Sequence, residues 1–101
     1  MRRFGPGRPF SPLILYHLPK VKEFIPNPCL NPNPIELSYP ELEALRLVDL
    51  ENLKQEEAAK RMNTSRGTLW RLLENARKKI TRALVESRPL VIVEKGEVKE
   101  I

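Results

Sequence analysis

The chain has 101 residues, with 18 Lys or Arg against 13 Asp or Glu for a net charge of +5, ten prolines, one cysteine and one histidine. That length suits one small domain. A lone Cys29 rules out an internal disulfide and suits a reducing cytoplasm, and with His17 the single nitrogen ligand neither a metal site nor any other cofactor is expected.

The chain opens with Met1-Arg2-Arg3-Phe4-Gly5-Pro6-Gly7-Arg8-Pro9. Arginines among Gly and Pro suit a minor-groove arm, where a narrow A·T channel attracts Arg2, Arg3 and Arg8. A solubilising tail is the other reading. Gly7-Arg8-Pro9 resembles the centre of an AT-hook, with Pro6 where that motif carries another basic residue. Leu13-Ile14-Leu15-Tyr16 is cut off by His17 and Pro19, too short for a signal peptide core or a membrane span. Arg2-Arg3 therefore lacks the hydrophobic segment of an export signal.

From Pro26 to Pro34 four of nine residues are proline. Proline removes backbone donors and fixes φ, so the stretch is an extended or turning linker. The apolar pieces on either side, Val21 to Ile25 and Ile35 to Leu37, read as edge strands. Their partner is Leu90-Val91-Ile92-Val93, after which Lys95-Gly96 can turn the chain toward Val98 and Ile101. The reading is thus a basic, Pro-rich arm and linker over 1–34, a domain over 35–93, and a C-terminal turn with a tail or short strand over 94–101. The proline-rich first third is expected to add little to the core.

Ser38-Tyr39-Pro40-Glu41 reads as a capping box, with Pro40 in the first turn, where its missing amide costs nothing. Leu42, Leu45, Leu47, Val48 and Leu50 give the helix that follows an apolar face, and Glu51-Asn52 ends it. Its acids Glu41 and Glu43, like Glu56 and Glu57 further on, complement the dipole at a helix start. A second helix opens at Gln55, with small Ala59 where neighbouring axes approach most closely. Asn63 sits in a turn that needs a left-handed residue, and Ser65 is an N-cap. In the third helix, from Arg66, Leu69, Leu72, Leu73, Ala76, Ile80, Ala83 and Leu84 recur at helical spacing as a buried stripe. Arg71, Glu74, Asn75, Lys78 and Arg82 fall on the opposite face. The fold class expected is mainly α: a three-helix helix-turn-helix core with a Pro-rich arm and a small β-sheet from the flanking strands, whether or not these form a wing.

Charge is segregated along the chain. Residues 64–88 hold seven basic residues against two acids, and the segment before residue 38 holds five against two, whereas residues 38–63 hold four against six. Neutralising DNA phosphates, with release of counterions, accounts for such segregation. A solvated helix end favoured by the dipole is the plainer account of Arg77-Lys78-Lys79.

The run Tyr39-Pro40-Glu41-Leu42-Glu43-Ala44-Leu45-Arg46-Leu47-Val48-Asp49-Leu50, followed by Gln55-Glu56-Glu57-Ala58-Ala59, Met62, Ser65-Arg66, Thr68 and Ala76-Arg77-Lys78-Lys79, resembles a family of small uncharacterised prokaryotic proteins. Members of that family are expected to bind DNA through a helix-turn-helix similar to region four of bacterial sigma factors. The resemblance spans roughly residues 35 to 92 and implies a three-helix DNA-binding core with a role in transcription. The chain departs from the pattern at Asn63, where Gly is usual, and at Thr64, where an aliphatic residue fills the core.

In this reading the third helix enters the major groove of double-stranded DNA. Its N-terminal part reaches base edges through Arg66, Gly67, Thr68, Arg71 and Asn75, with Gly67 permitting close approach. Lys54, Gln55, Ser65, Arg77, Lys78 and Arg82 contact phosphates. Trp70, at the edge of the stripe and near the base-reading end, is expected to be buried against the arm or sheet, with base contact as the alternative. The rival reading is an adaptor that docks its basic helix on RNA polymerase or a sigma factor, which predicts exposed apolar anchors on that face. RNA binding would bring more aromatic platforms than six aromatics, mostly elsewhere, supply. Catalysis is not expected, because no phosphate-cradling loop or nucleophile paired with a base is present. A homodimer is left open.

Overall fold

The computed structural model describes residues 13–94 and 98–100. Arg2, Arg3, Arg8, the Lys95-Gly96 turn and Ile101 lie outside them. Three helices carry the fold: α1 (Tyr39–Leu45), α2 (Gln55–Arg61) and the long α3 (Arg66–Glu86). Five short strands accompany them: β1 (Leu13–Leu15), β2 (Glu23–Phe24), β3 (Ile35–Ser38), β4 (Leu90–Val93) and β5 (Val98–Glu100).

The expected capping box forms at the head of α1. The Glu41 amide donates to Ser38 Oγ at 3.2 Å, and the Ser38 amide donates to Glu41 Oε1 at 2.9 Å. Ser38 is also the last residue of β3, so one residue ends a strand and starts a helix. Beyond Leu45 the helix widens into a π-type turn over Arg46–Leu50, closed by the Glu51 amide on the Arg46 carbonyl at 2.9 Å, and Asn52 at φ 64° ends it. The wider turn rotates Leu50 off the apolar face assigned to it, and Leu50 is exposed.

The turn between α2 and α3 is tight. Asn63 takes φ 59°, as expected of its place, and the Thr64 amide returns to the Ala59 carbonyl at 3.0 Å. Ser65 caps α3, its Oγ accepting from the Thr68 amide at 3.1 Å. At the other end Ser87 adopts the left-handed conformation, φ 53°, that closes many helices.

Two apolar clusters flank α3. One brings Leu69 and Leu73 against Ala44 and Leu47 of the first helix, Ala58 and Ala59 of α2, and Met62. Leu15 completes this cluster and is fully buried, while the neighbouring Ile14 amide donates to the Met62 carbonyl at 3.0 Å. The first third of the chain therefore supplies a core side chain, contrary to expectation: a three-residue strand suffices when its one inward residue closes the gap between two helices. The second cluster sets Ala76, with Ile80 beside it, on Leu37 and Ile92 of a three-stranded sheet ordered β2-β4-β3. The expected strand partners are correct, with β3 parallel and β2 antiparallel to β4. β5 does not extend this sheet; it pairs in parallel with β1.

Candidate nucleic-acid interface

The outward face of α3 runs through Gly67, Arg71 and Lys78, with Asn75 and Arg82 on one flank and Arg66 and Trp70 on the other. Ser65 Oγ donates to Thr68 Oγ1 at 3.1 Å, and Arg71 Nη2 donates to the same oxygen at 3.4 Å. The cap therefore also holds the Arg71 guanidinium back along the first turn. Ser65 is engaged twice within the chain, which leaves its hydroxyl oxygen less available for the phosphate role assigned to it. Gly67 is exposed, and a Cβ built there would meet nothing within 4 Å, so packing does not require a glycine.

The cations of α3 fall into two groups. Arg66, Arg71 and Lys78 are exposed and, among the described residues, form no ion pair, as does Lys54 ahead of α2. Arg77 differs: its Nη2 and Nε grip the two oxygens of Asp49 at 2.7 and 3.0 Å, with Glu74 at 3.5 Å. The Arg77 guanidinium holds the Asp49 carboxyl below the usual carboxylate range, and Asp49 in turn raises Arg77. Arg77, expected to serve a phosphate, is engaged in this structure by a carboxylate that the π-type turn brings in. Lys79 is bound to Glu41 at 2.8 Å, Arg82 lies 3.8 Å from Glu86, and Arg88 reaches Glu86 at 2.9 Å. Gln55 is half-buried at the start of α2, whose first turn carries Glu56 and Glu57.

Two features differ from the expectation. Trp70 is 51% exposed, because the sheet packs on Ala76 and Ile80, more than a turn further along α3. Glu43 does more than complement a dipole. It is buried, accepts from Arg46 Nε and Nη2 at 3.0 Å each, and accepts from the Tyr16 amide at 2.9 Å. Glu43 thereby raises the Arg46 guanidinium, outweighing the burial that opposes it, and ties β1 to the first helix. The i, i+3 spacing of Glu43 and Arg46 was visible in the sequence; that Glu43 is buried and Arg46 half-buried was not.

Between Ile35 and Glu36 on one side and Asn75, Lys78, Arg82 and Arg88 on the other lies a cleft of about 330 Å³. It continues the basic face of α3 toward the sheet. Among the described residues no group of three or more His, Cys, Asp or Glu could hold a metal ion, and no helix is long and apolar enough to cross a membrane.

The model of the family described as "Protein of unknown function DUF134" matches residues 1–101. The chain belongs to this family. Among DUF134 relatives, the chain is similar to a UPF0251 protein of Pyrococcus furiosus, 48% identical over 99 residues that cover 95% of this chain and 92% of the relative. A UPF0251 protein of Archaeoglobus fulgidus is 38% identical, covering 94% of this chain and 90% of its own length. A bacterial one, from Prosthecochloris aestuarii, is 41% identical over 88 residues, 85% of this chain and 57% of its own. No solved structure matches the chain.

Proposed function

We propose that this DUF134 protein binds double-stranded DNA in a sequence-selective way and acts in transcription, with α2, the turn at Asn63 and α3 serving as a helix-turn-helix of the sigma region-four type. The observation that carries the reading is the pattern of compensation. Carboxylates hold four of the seven cations between residues 64 and 88, and the three without one among the described residues, Arg66, Arg71 and Lys78, all project from the same stretch of α3. Leaving exposed cations unpaired along one helix favours an anionic partner, and the major groove admits a helix.

Arg71 is the base-reading residue of choice, since a guanidinium can bond guanine O6 and N7 together. Arg66 and Thr68 stand beside it at the helix start, Asn75 one turn further on, and Gly67 leaves room for the groove floor. Lys78 and Lys54 contact phosphates, with Arg82 reaching them once it lets go of Glu86. The test is selection of bound sequences from a random duplex pool, followed by titration of the selected site. Arg71→Ala should lose about 1–3 kcal/mol of discrimination at one base pair while binding unrelated duplexes nearly as before. Failure of the folded protein to take up any duplex at low salt would end the proposal.

The exposed Trp70 supports a second reading, because a half-exposed indole beside the basic face is the kind of anchor that protein interfaces use. In that reading α3 docks on an acidic surface of RNA polymerase or a sigma factor. Trp70→Ala would then abolish capture of polymerase while leaving duplex binding unchanged, whereas DNA binding alone predicts no capture to lose.

A further inference from the structure

The far end of α3 carries a surface of the opposite character. Phe24, Ile25 and Leu30 are 61%, 60% and 76% exposed, and Leu84, expected in the buried stripe, is 78% exposed. Leu84 stays out of the core because α3 runs on beyond the first helix, and the chain that faces it there is the end of β2 with the loop that follows, to Leu30. Helix and loop enclose an apolar groove of about 700 Å³ whose floor is Ile80 and Ala83.

The groove is preformed. The Leu30 and Asn31 amides both donate to the Ser87 carbonyl at 3.2 Å, Ser87 Oγ donates to the Pro28 carbonyl, and Arg88 Nε donates to the Asn33 carbonyl at 2.8 Å. A loop stapled in this way to the helix end has little entropy left to lose when something docks on it.

We infer that this groove is the contact surface for a second copy of the chain, which makes the protein a two-fold dimer joined through the C-terminal end of α3. Three properties of the surface select that occupant. The first is area. With full side-chain surfaces of roughly 150–200 Å², the four residues expose about 500 Å², at the upper end of the largest patch on a typical monomer. Adding Pro26, Pro28 and the helix end approaches the roughly 800 Å² per partner of a standard interface.

The second is charge. An isologous contact requires a surface that complements itself. Arg88 lines the groove and holds Glu86 at 2.9 Å beside it, so each copy offers the other a base and an acid.

The third is reach, which rests on the DNA reading. Leu84 lies 18 residues beyond Arg66, about 27 Å along the helix axis. Two copies joined near Leu84 can hold their α3 starts anywhere up to about 54 Å apart, a range that includes the roughly 34 Å between half-sites one duplex turn apart. The joined ends stay clear of the basic face.

Sedimentation of the full chain without DNA, across the micromolar range, tests the pairing. We expect twice the 11.7 kDa chain mass, and a return to the single mass in Leu84→Glu and, independently, in Leu30→Glu, each with unchanged far-ultraviolet circular dichroism. The dissociation constant should rise at least tenfold in either variant. A wild-type chain of single mass throughout would overturn the pairing and leave the groove to another protein. So would folded variants that keep the double mass. A double-mass chain that takes up no duplex would leave the pairing standing and remove only the DNA reading.

Discussion

The stretch of α3 from Arg66 to Lys78 and the stretch from Lys79 to Arg88 that ends it are built from similar residues and put to different use. In the first, Arg66, Arg71 and Lys78 project without carboxylate partners among the described residues, while Leu69 and Leu73 sit fully buried behind them. At the end, Lys79, Arg82 and Arg88 are each matched by an acid, and the exposed side chains include Leu84 and Val85. Composition alone would call the whole segment basic. Pairing shows that its available positive charge ends at Lys78, and that the stretch beyond has a surface suited to apolar contact.

The strongest way to break this contrast is to detach the first half from its support. Leu69→Ala, fully buried between the first helix and α2, should cost about 2–5 kcal/mol in urea unfolding and take duplex binding with it. If duplex binding survived at full strength with the core loosened, a rigidly presented α3 would not be what DNA meets.

Gly67→Ala sharpens the same point by separating stability from function. Nothing lies within 4 Å of the new methyl, so the substitution should stabilise the helix by roughly 0.5–1 kcal/mol, read as a higher urea midpoint. It should nonetheless weaken binding to the selected duplex. A glycine kept where the fold gains from alanine is explained by a ligand that comes close; equal affinity in Gly67→Ala would remove that explanation.

The smallest expected effect concerns neighbours. Lys78→Ala should flatten the dependence of log affinity on log salt by about one unit, whereas Arg77→Ala, whose charge Asp49 already balances, should change the slope by clearly less. Asp49→Asn should steepen it by releasing Arg77. Because Arg77 lowers the Asp49 carboxyl below its unfolded value, the pair's contribution to stability is present above the unfolded value and is lost as pH falls through the lowered one. The pair is exposed, so thermal unfolding followed below pH 4 should show only a few tenths of a kcal/mol from it, vanishing in Asp49→Asn.

Much of this architecture is legible in the residues because local rules govern it. The capping box at Ser38, the left-handed Asn63, the cap at Ser65 and the starts of α2 and α3 depend on neighbours three or four positions away, and on a backbone geometry that few side chains accept. The strand partners were legible too, since β-branched runs flanked by proline have few alternatives. Membership of the candidate face followed from helical periodicity.

Other features were decided where distant segments meet. Leu15 enters the core because the gap between the first helix and α2 needs one more side chain, and a broken apolar run gives no sign of filling it. Asp49 reaches Arg77, 28 residues away, because the end of the first helix widens by one residue, a departure no propensity scale signals. Leu84 lies on the predicted stripe yet faces outward, since periodicity states which side chains share a face and is silent on where the neighbouring element stops. The amino-acid order thus determined the helices, their caps and the direction in which each side chain leaves its axis. Only the tertiary arrangement determined which of those side chains meet a partner, because burial and charge pairing depend on separation in space.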